Sequence, residues 1–480
     1  MFGGIFDRLR KSKRRIRSFA AAAATRFVTD WLVSYKSIDA DLKGDIAKIR
    51  NRSRDLEKNS ELAARYFNIL ETNVVGTKGF LLQMKVRKGD LFDDDVNREI
   101  ERHWKRWSTS ASADGRLSFR EICKAAARGI PRDGEAFIRI VKDTGINDYG
   151  LSLQVIDPAL IDDQYNDVLK NGNIIRLGVE LNEYRKPVAY YISEKNPKGE
   201  MLGMGIERTK RIRIPAEEVI HIYKLQRPDQ TRGWSWLAPV MLAMRILNGY
   251  IEGALVNARA GAAKMGFYET EDPGVLGLDD ADDARVESAK TEPGMIEVLP
   301  PGVKFVGYDP KYPDNQFAPF VKRIMMLIAS GLNVSYVSLS QDLEAVNYSS
   351  IRYGSLEERE TFKDLQEMIV EKLVTRVFEE WLRMALTVGK LGYGLRNFDR
   401  LNEPSWVGPR WNWVDPLKEI NANINAVKSG IKSRSEVIAE NGRDFFEVMD
   451  EIAKENAYML EMGINVDGTG QYSEVTDEKA

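Results

Sequence analysis

Cysteine and histidine are nearly missing from this chain: Cys123 is the single thiol, and His103 and His221 are the two imidazoles. One cysteine excludes an intrachain disulfide and makes an intracellular folding compartment the simpler reading. Two separated histidines leave little for a transition-metal site. Walker A, dinucleotide-binding, HExxH, GxSxG, zinc-cysteine and helix-turn-helix signatures are absent as well. Spacing alone cannot place two carboxylates around a substrate, so the chain reads as a non-enzyme with no cofactor and no metal. A formal net charge of -2 removes bulk attraction as a ground for nucleic-acid binding; any such contact is local, or the protein surrounds nucleic acid with weak attachment. Long apolar runs are lacking too. The first 27 residues have a basic front and an alanine-rich part interrupted by Arg17 and Arg26, which argues against a secretory signal and a spanning helix.

What is present is length and helical periodicity. The 480 residues, 43% hydrophobic and 30% charged, suffice for two or more domains with cores. The stretch from Asp314 to Leu386 organises the rest. Phe317, Phe320, Val321, Ile324, Leu327 and Ile328 recur at helix spacing up to Gly331. A polar interval, GLNVSYVSLSQDLEAVNYSS, comes next and interrupts regular helix. From about Ser350, a second stripe of Phe362, Leu365, Ile369, Leu373, Val377, Trp381 and Met384 predicts one helix of roughly 55 Å. Helices in globular domains average about 12 residues, so a large ring or multi-subunit scaffold gains weight.

In chain order, Arg8 to Arg17 belong to a basic arm that docks on a neighbouring subunit or on nucleic acid, with an amphipathic membrane-surface segment as the alternative. Charged helices occupy Ile38 to Leu70, and Arg50, Arg52, Arg54 and Arg65 read as a solvated or intersubunit face. A helix from Asp93 to Trp107 buries Val96, Ile100, Trp104 and Trp107; the next run buries Cys123, which is core and not nucleophile. Arg132 to Glu135 form a turn before the strand AFIRIV. Leu151 to Lys224 reads as antiparallel sheet, with a hairpin around Asn182 to Lys186. Asp157, Asp162, Asp163 and Asp167 are expected as turn and surface carboxylates, and His221 as a structural or edge residue. The junction Arg227 to Pro239 is anchored by Trp234 and Trp236. The helix after it carries Gly249, Gly253, Ala258 and Gly261, small residues that permit close helix approach. An insertion then pairs short strands around an acidic loop holding Asp279, Asp280, Asp282 and Asp283. After Leu386 come the aromatic cluster Trp406, Trp411 and Trp413, three helices, and an acidic tail expected to be disordered from Asn465.

Several phrases, in this order, carry a family resemblance: RNRSRDLEKNSELAARYFNILETNVVGTKG, RDGEAFIRI, LQVIDPALID, GVELNEYRKPVAYYI, RIPAEEVIHIY, PDQTRGWSWLAP and GLNVSYVSLSQDLEAVNYSSIR. Over roughly residues 50 to 385 the chain resembles the portal proteins of tailed bacteriophages, in the lambda-like branch. The resemblance implies an α+β portal fold assembled as a homo-oligomeric ring, usually of twelve copies, at one capsid vertex of the virion, built in the host cytoplasm. Double-stranded DNA would pass through the ring without sequence specificity during packaging and ejection. The packaging ATPase, the large terminase subunit, would dock and later give way to neck and tail connector proteins; major capsid and scaffold proteins are further partners, and a membrane is not. Another ring-forming head-tail connector is the alternative.

It also implies parts: a basic arm at 1–29, a wing domain at 30–236, a first stem helix at 237–263, a clip at 264–314 and a second stem helix at 315–330. A channel loop at 331–349, a wing-crossing helix at 350–386, a crown region at 387–464 and the tail at 465–480 complete the division. Channel-facing candidates are Lys322, Arg323, Gln341, Asp342, Glu344 and Asn347, with an intersubunit salt bridge as the competing role of Lys322 and Arg323. Pro300, Pro301 and Lys304 are candidates for motor docking, and Gly249, Gly253, Ala258 and Gly261 for stem packing.

Overall fold

The computed structural model describes residues 36–193, 210–262, 266–270, 301–307, 316–344, 348–411, 416–440, 443, 445–462, 464–466 and 472–474. The chain opens with α1 (Ile38–Leu42), α2 (Ile46–Asn59) and α3 (Glu61–Val74), followed by β1 (Leu81–Met84), the small ribbon β2 (Arg87–Lys88) and β3 (Leu91–Phe92), α4 (Asp94–Ser108) and α5 (Phe119–Asp133). Helix α5 starts where Ser118 and Glu121 form a reciprocal capping box. It stops at Gly134, whose φ of 91° only glycine adopts without strain.

From there the chain runs straight into β4 (Glu135–Lys142). With β5 (Leu151–Ile156) and β11 (Val219–Tyr223) it forms an antiparallel sheet in the order β11-β4-β5. A second sheet, ordered β10-β9-β8-β7-β6, comprises β6 (Asp167–Val168), β7 (Ile174–Arg176), β8 (Val179–Leu181), β9 (Pro187–Ser193) and β10 (Arg211–Pro215). The expected hairpin around 182–186 is present, but its first arm is two strands. Leu177 and Gly178, at φ 48° and 80°, fold β7 back on β8, a two-residue turn that alternation alone did not signal.

Two long helices bracket the middle of the chain. Helix α6 (Met241–Ala262) is antiparallel to α7 (Phe317–Gly331), and between them β12 (Gly266–Thr270) pairs with β13 (Val303–Gly307). The acidic loop of the insertion lies outside the described residues. The predicted long helix is α9 (Tyr348–Ile369) continued through a π-helical turn at Val370–Val374 into α10 (Thr375–Thr387), after the short α8 (Tyr336–Ser340). A π turn inserts residues into the helical ladder and re-aims the helix beyond it. Here Leu373, Val377, Phe378 and Trp381 remain fully buried across it.

The core forms around that helix. Trp104 lies with its ring centre 4.8 Å from Trp107, 5.2 Å from Trp381, 5.5 Å from Phe378 and 5.6 Å from Trp406. Such clusters add edge-to-face attraction to large apolar burial. Trp406 belongs to β14 (Pro404–Val407), which comes after α11 (Phe398–Leu401) and pairs antiparallel with β1. Cys123 is buried in the same core, where burial pushes its thiol up and leaves it inert. Helices α12 (Pro416–Lys428), α13 (Arg434–Glu440) and α14 (Phe445–Glu461) end the helical part. The tail expected to be disordered from Asn465 holds a hairpin instead, β15 (Ile464–Val466) against β16 (Tyr472–Glu474). Its polar composition concealed the β-favouring Ile464, Val466 and Tyr472.

Four further expectations are corrected by burial. Arg50 is 1% exposed and Arg54 grips Asp133 and Asp157, so these two are not solvated, while Arg52 is exposed as expected. Asp162 and Asp163 are buried, Asp162 accepting from Arg211, so they are not surface carboxylates. Trp234 and Trp236 are only half-buried, and the junction is anchored by buried Arg232, Gly233 and Ser235. Arg132 and Asp133 finish α5 and Glu135 opens β4, so the turn there shrinks to Gly134.

Candidate functional site

The site is built where α7 ends. Gly331 packs so closely on the residue before α6 that an added Cβ would lie 2.5 Å from Val240 Cγ1. Beyond it the backbone turns at Asn333, φ 55°, and Ser335 starts α8 by accepting from the Ser338 amide. The polar interval is therefore not wholly irregular: it contains one turn of helix. Gln341, at φ 57°, closes α8.

Asp342 then folds back. Its Oδ2 accepts from Lys322 Nζ at 2.7 Å and from the Tyr336 hydroxyl at 2.9 Å, and its Oδ1 accepts from the Glu344 amide at 2.9 Å. The Lys322 hydrogen bond, with that of Tyr336, pulls the Asp342 carboxyl down to about 2, and Asp342 in turn raises the Lys322 ammonium. Lys322 also lies 5.4 Å over the Tyr336 ring. Sequence reasoning placed Lys322 and Asp342 in one group; the structure joins them in a single latch within one chain.

The other face of α8 is tied to α3 and α9. Arg65 Nε donates to the Ser338 carbonyl at 3.1 Å, and the Ser338 hydroxyl donates to Glu358 at 2.7 Å. Glu358 is 7% exposed, and burial raises its carboxyl. A cavity of about 190 Å³ lies behind α8, lined by Arg65, Ser338, Ser355, Glu358, Arg359 and Trp411 among others.

The remaining predicted residues scatter. Arg323 and Glu344 are exposed and Gln341 occupies the turn, while Asn347 lies outside the described residues. Pro301 is exposed in a turn with Gly302, Lys304 is exposed on β13 opposite Glu269, and Pro300 lies outside the described residues. Among the described residues, nothing beyond the helix's own neighbouring backbone lies within 4 Å of a Cβ added at Gly249 or Gly253. Ala258 lies beyond Gly249 by about two and a half helical turns, which puts it on the opposite side, and Gly261 stands in the last turn of α6. The four small residues do not form one stripe.

A group that sequence reasoning missed fixes the root of α6. Glu135, fully buried, accepts from Arg232 Nη2 at 2.6 Å and Nε at 2.8 Å, from Arg50 at 3.3 Å, from His221 Nε2 at 3.1 Å and from the Gly233 amide at 3.2 Å. Burial opposes its charge, but Arg232 and the His221 hydrogen bond outweigh this and hold the carboxyl well below its usual range. Burial keeps the His221 imidazole neutral; with Nε2–H donating to Glu135, Nδ1 faces the Tyr190 hydroxyl at 3.4 Å. Two backbones cross here, since a Cβ on Gly134 would stand 2.2 Å from the Trp234 carbonyl carbon. The signal in the sequence was a pair of charge–glycine steps, Gly134-Glu135 and Arg232-Gly233, each leading into an apolar or aromatic run.

The described residues thus form a charge-locked α+β body with a helix pair and a latched polar segment. No group of three or more His, Cys, Asp or Glu among them could hold a metal, and no described helix is long and apolar enough to cross a membrane. Comparison with known proteins names the class: residues 25–366 match the family model of the phage portal protein, lambda family, and the chain belongs to that family. It is 34% identical over 465 residues to the probable portal protein of Halomonas phage phiHAP-1, covering 95% of this chain and 89% of that one. It is 22% identical over 461 residues to portal protein B of Escherichia phage lambda, covering 88% and 86%. Among solved structures, a chain of the native gene transfer agent virion aligns at TM-score 0.42 and 13% identity, covering 83% of this chain and 93% of that one. The HK97-family portal protein of Corynebacterium diphtheriae aligns at TM-score 0.32 and 11% identity, covering 77% and 96%.

Proposed function

We propose that this chain is the repeating subunit of a portal ring at one capsid vertex, through which double-stranded DNA is packaged and ejected. The wing body, at 30–236, holds the ring's bulk, and the segment at 331–349 faces the channel. The β12–β13 ribbon of the 264–314 clip receives the packaging ATPase and later the neck and tail proteins. Major capsid and scaffold proteins meet the outer surface, in a particle assembled in the host cytoplasm. The observation that carries this reading is the helix pair: large apolar side chains of α6 and α7 face outward, with Leu242 71% and Leu327 67% exposed. Large apolar side chains left outward on both helices make a surface that needs cover, and copies around a ring supply it.

DNA contact in the channel is weak and sequence-blind, as sliding requires. With Lys322 held by Asp342, the exposed Arg323 is the cation freer to meet phosphate. Charge reversal at Arg323 should lower packaging or DNA retention; unchanged values would remove it from the channel wall. Class-averaged electron micrographs of the purified protein test the reading as a whole. Closed rings with a central hole support it, and a persistent monomer under assembly conditions overturns it.

A further inference from the structure

The two outward faces of the helix pair differ in shape. On α6, Leu242, Ile246, Gly249, Gly253 and Val256 recur at alternating steps of four and three, the spacing of a packed helical seam. Leu242, Ile246 and Val256 are 71%, 62% and 61% exposed, while among the described residues nothing beyond the helix's own neighbouring backbone lies within 4 Å of a Cβ added at either glycine. This face is apolar, with a notch in its middle. It lies opposite the inward face, where Met244, Leu247 and Ala254 are buried. On α7, Phe320 and Leu327, seven residues apart, stand out at 51% and 67% exposure. One face is recessed and the other protrudes.

The register within the pair fixes which levels coincide. Gly331 abuts Val240, and the Tyr250 ring lies 5.6 Å from Phe317 and 5.4 Å from Phe320. Phe320 is therefore level with residue 250 of α6. Leu327, between those two contacts, falls level with the stretch from Leu242 to Ile246. Rotation about an axis running along the pair changes no residue's height, so side chains of equal height meet across a cyclic interface.

We propose that the outward face of α6 seats α7 of the neighbouring copy, with its Phe320 in the Gly249–Gly253 notch and its Leu327 against Leu242 and Ile246. The pairing rests on the ring reading and adds to it a register. The two glycines then serve to admit a phenyl ring from the next subunit, and any larger side chain there closes the seat.

Cysteines introduced as Gly249→Cys with Phe320→Cys test the register, because the native Cys123 is buried. After oxidation, a non-reducing denaturing gel should show a ladder of covalent multimers, and the pair Gly249→Cys with Ser330→Cys, at the far end of α7, should not. Rings in micrographs without a ladder, or equal ladders from both pairs, would overturn the pairing and leave the ring reading standing. Absence of rings from the unsubstituted chain would overturn the ring reading itself. Gly249→Leu gives a second readout that needs no oxidation: it points into open space in the single chain, so helical content and unfolding midpoint should hold while rings are lost. Rings that persist with leucine in the notch overturn the proposal.

Discussion

The wing body and the helix pair solve opposite problems. In the wing, charge is taken inside: Glu135, Arg50 and Arg232 are each at most 1% exposed, and the carboxylate takes up five hydrogen bonds. In the helix pair, apolar side chains face outward and charges stay at the surface. A buried charge is tolerated only when partnered, so the wing completes its own interactions within one chain. Exposed leucines carry no such obligation, but together they leave apolar surface for another copy to cover. The difference separates a part whose buried charges are answered within one chain from a part whose apolar faces are left uncovered.

Breaking the wing's side of that comparison should have the largest effect. Glu135→Ala leaves two buried guanidiniums uncompensated and should cost about 3–5 kcal/mol in urea unfolding; a loss no larger than that of a surface substitution would show that the clamp is not buried as described. Gly134→Ala forces a left-handed backbone and a clash with Trp234, and should cost at least about 1–3 kcal/mol by the same measurement. The same change in the helix pair should act with the opposite sign on the single chain. Gly249→Ala adds up to about 1 kcal/mol of helix propensity, seen as a higher unfolding midpoint at concentrations too low for assembly, while ring formation weakens.

Acid should unlock the wing. Glu135 is held below its ordinary value, so its contribution is complete above 4.5 and drains as pH falls through that value. His221 is held below 6.5, so below 6.5 the unfolded chain binds the extra proton and stability falls. The urea midpoint should therefore begin to drop below pH 6.5, and His221→Gln, which keeps a donor to Glu135, should flatten that first part of the profile. The smallest effect is expected at the latch. Asp342→Asn frees the exposed Lys322 and should speed amide exchange across Tyr336–Glu344 with no shift in the global unfolding midpoint.

Much of the core was legible in advance. The stripe from Phe362 to Trp381 is buried as its spacing requires, and Trp104, Trp107 and Cys123 fall in the core. Helical periodicity marks a face by repetition within a few turns, so it is written locally. The Arg50 and Glu135 pair was not legible, because the partners lie 85 positions apart and each alone reads as surface. Sequence likewise grouped Lys322 with Asp342 yet could not show that they bind each other, or that Gly249 and Ala258 point apart.

The sequence by itself determined the helices, their apolar faces, the absence of metal and nucleotide motifs, and the family. All of these depend on neighbours in the chain or on ordered phrases along it. Only the tertiary structure decided which charges are buried, what the polar segment after α7 is tied to, and that one helix pair carries a protruding face and a recessed one. Those outcomes depend on residues far apart in sequence arriving at one place, and composition and spacing carry no record of that meeting.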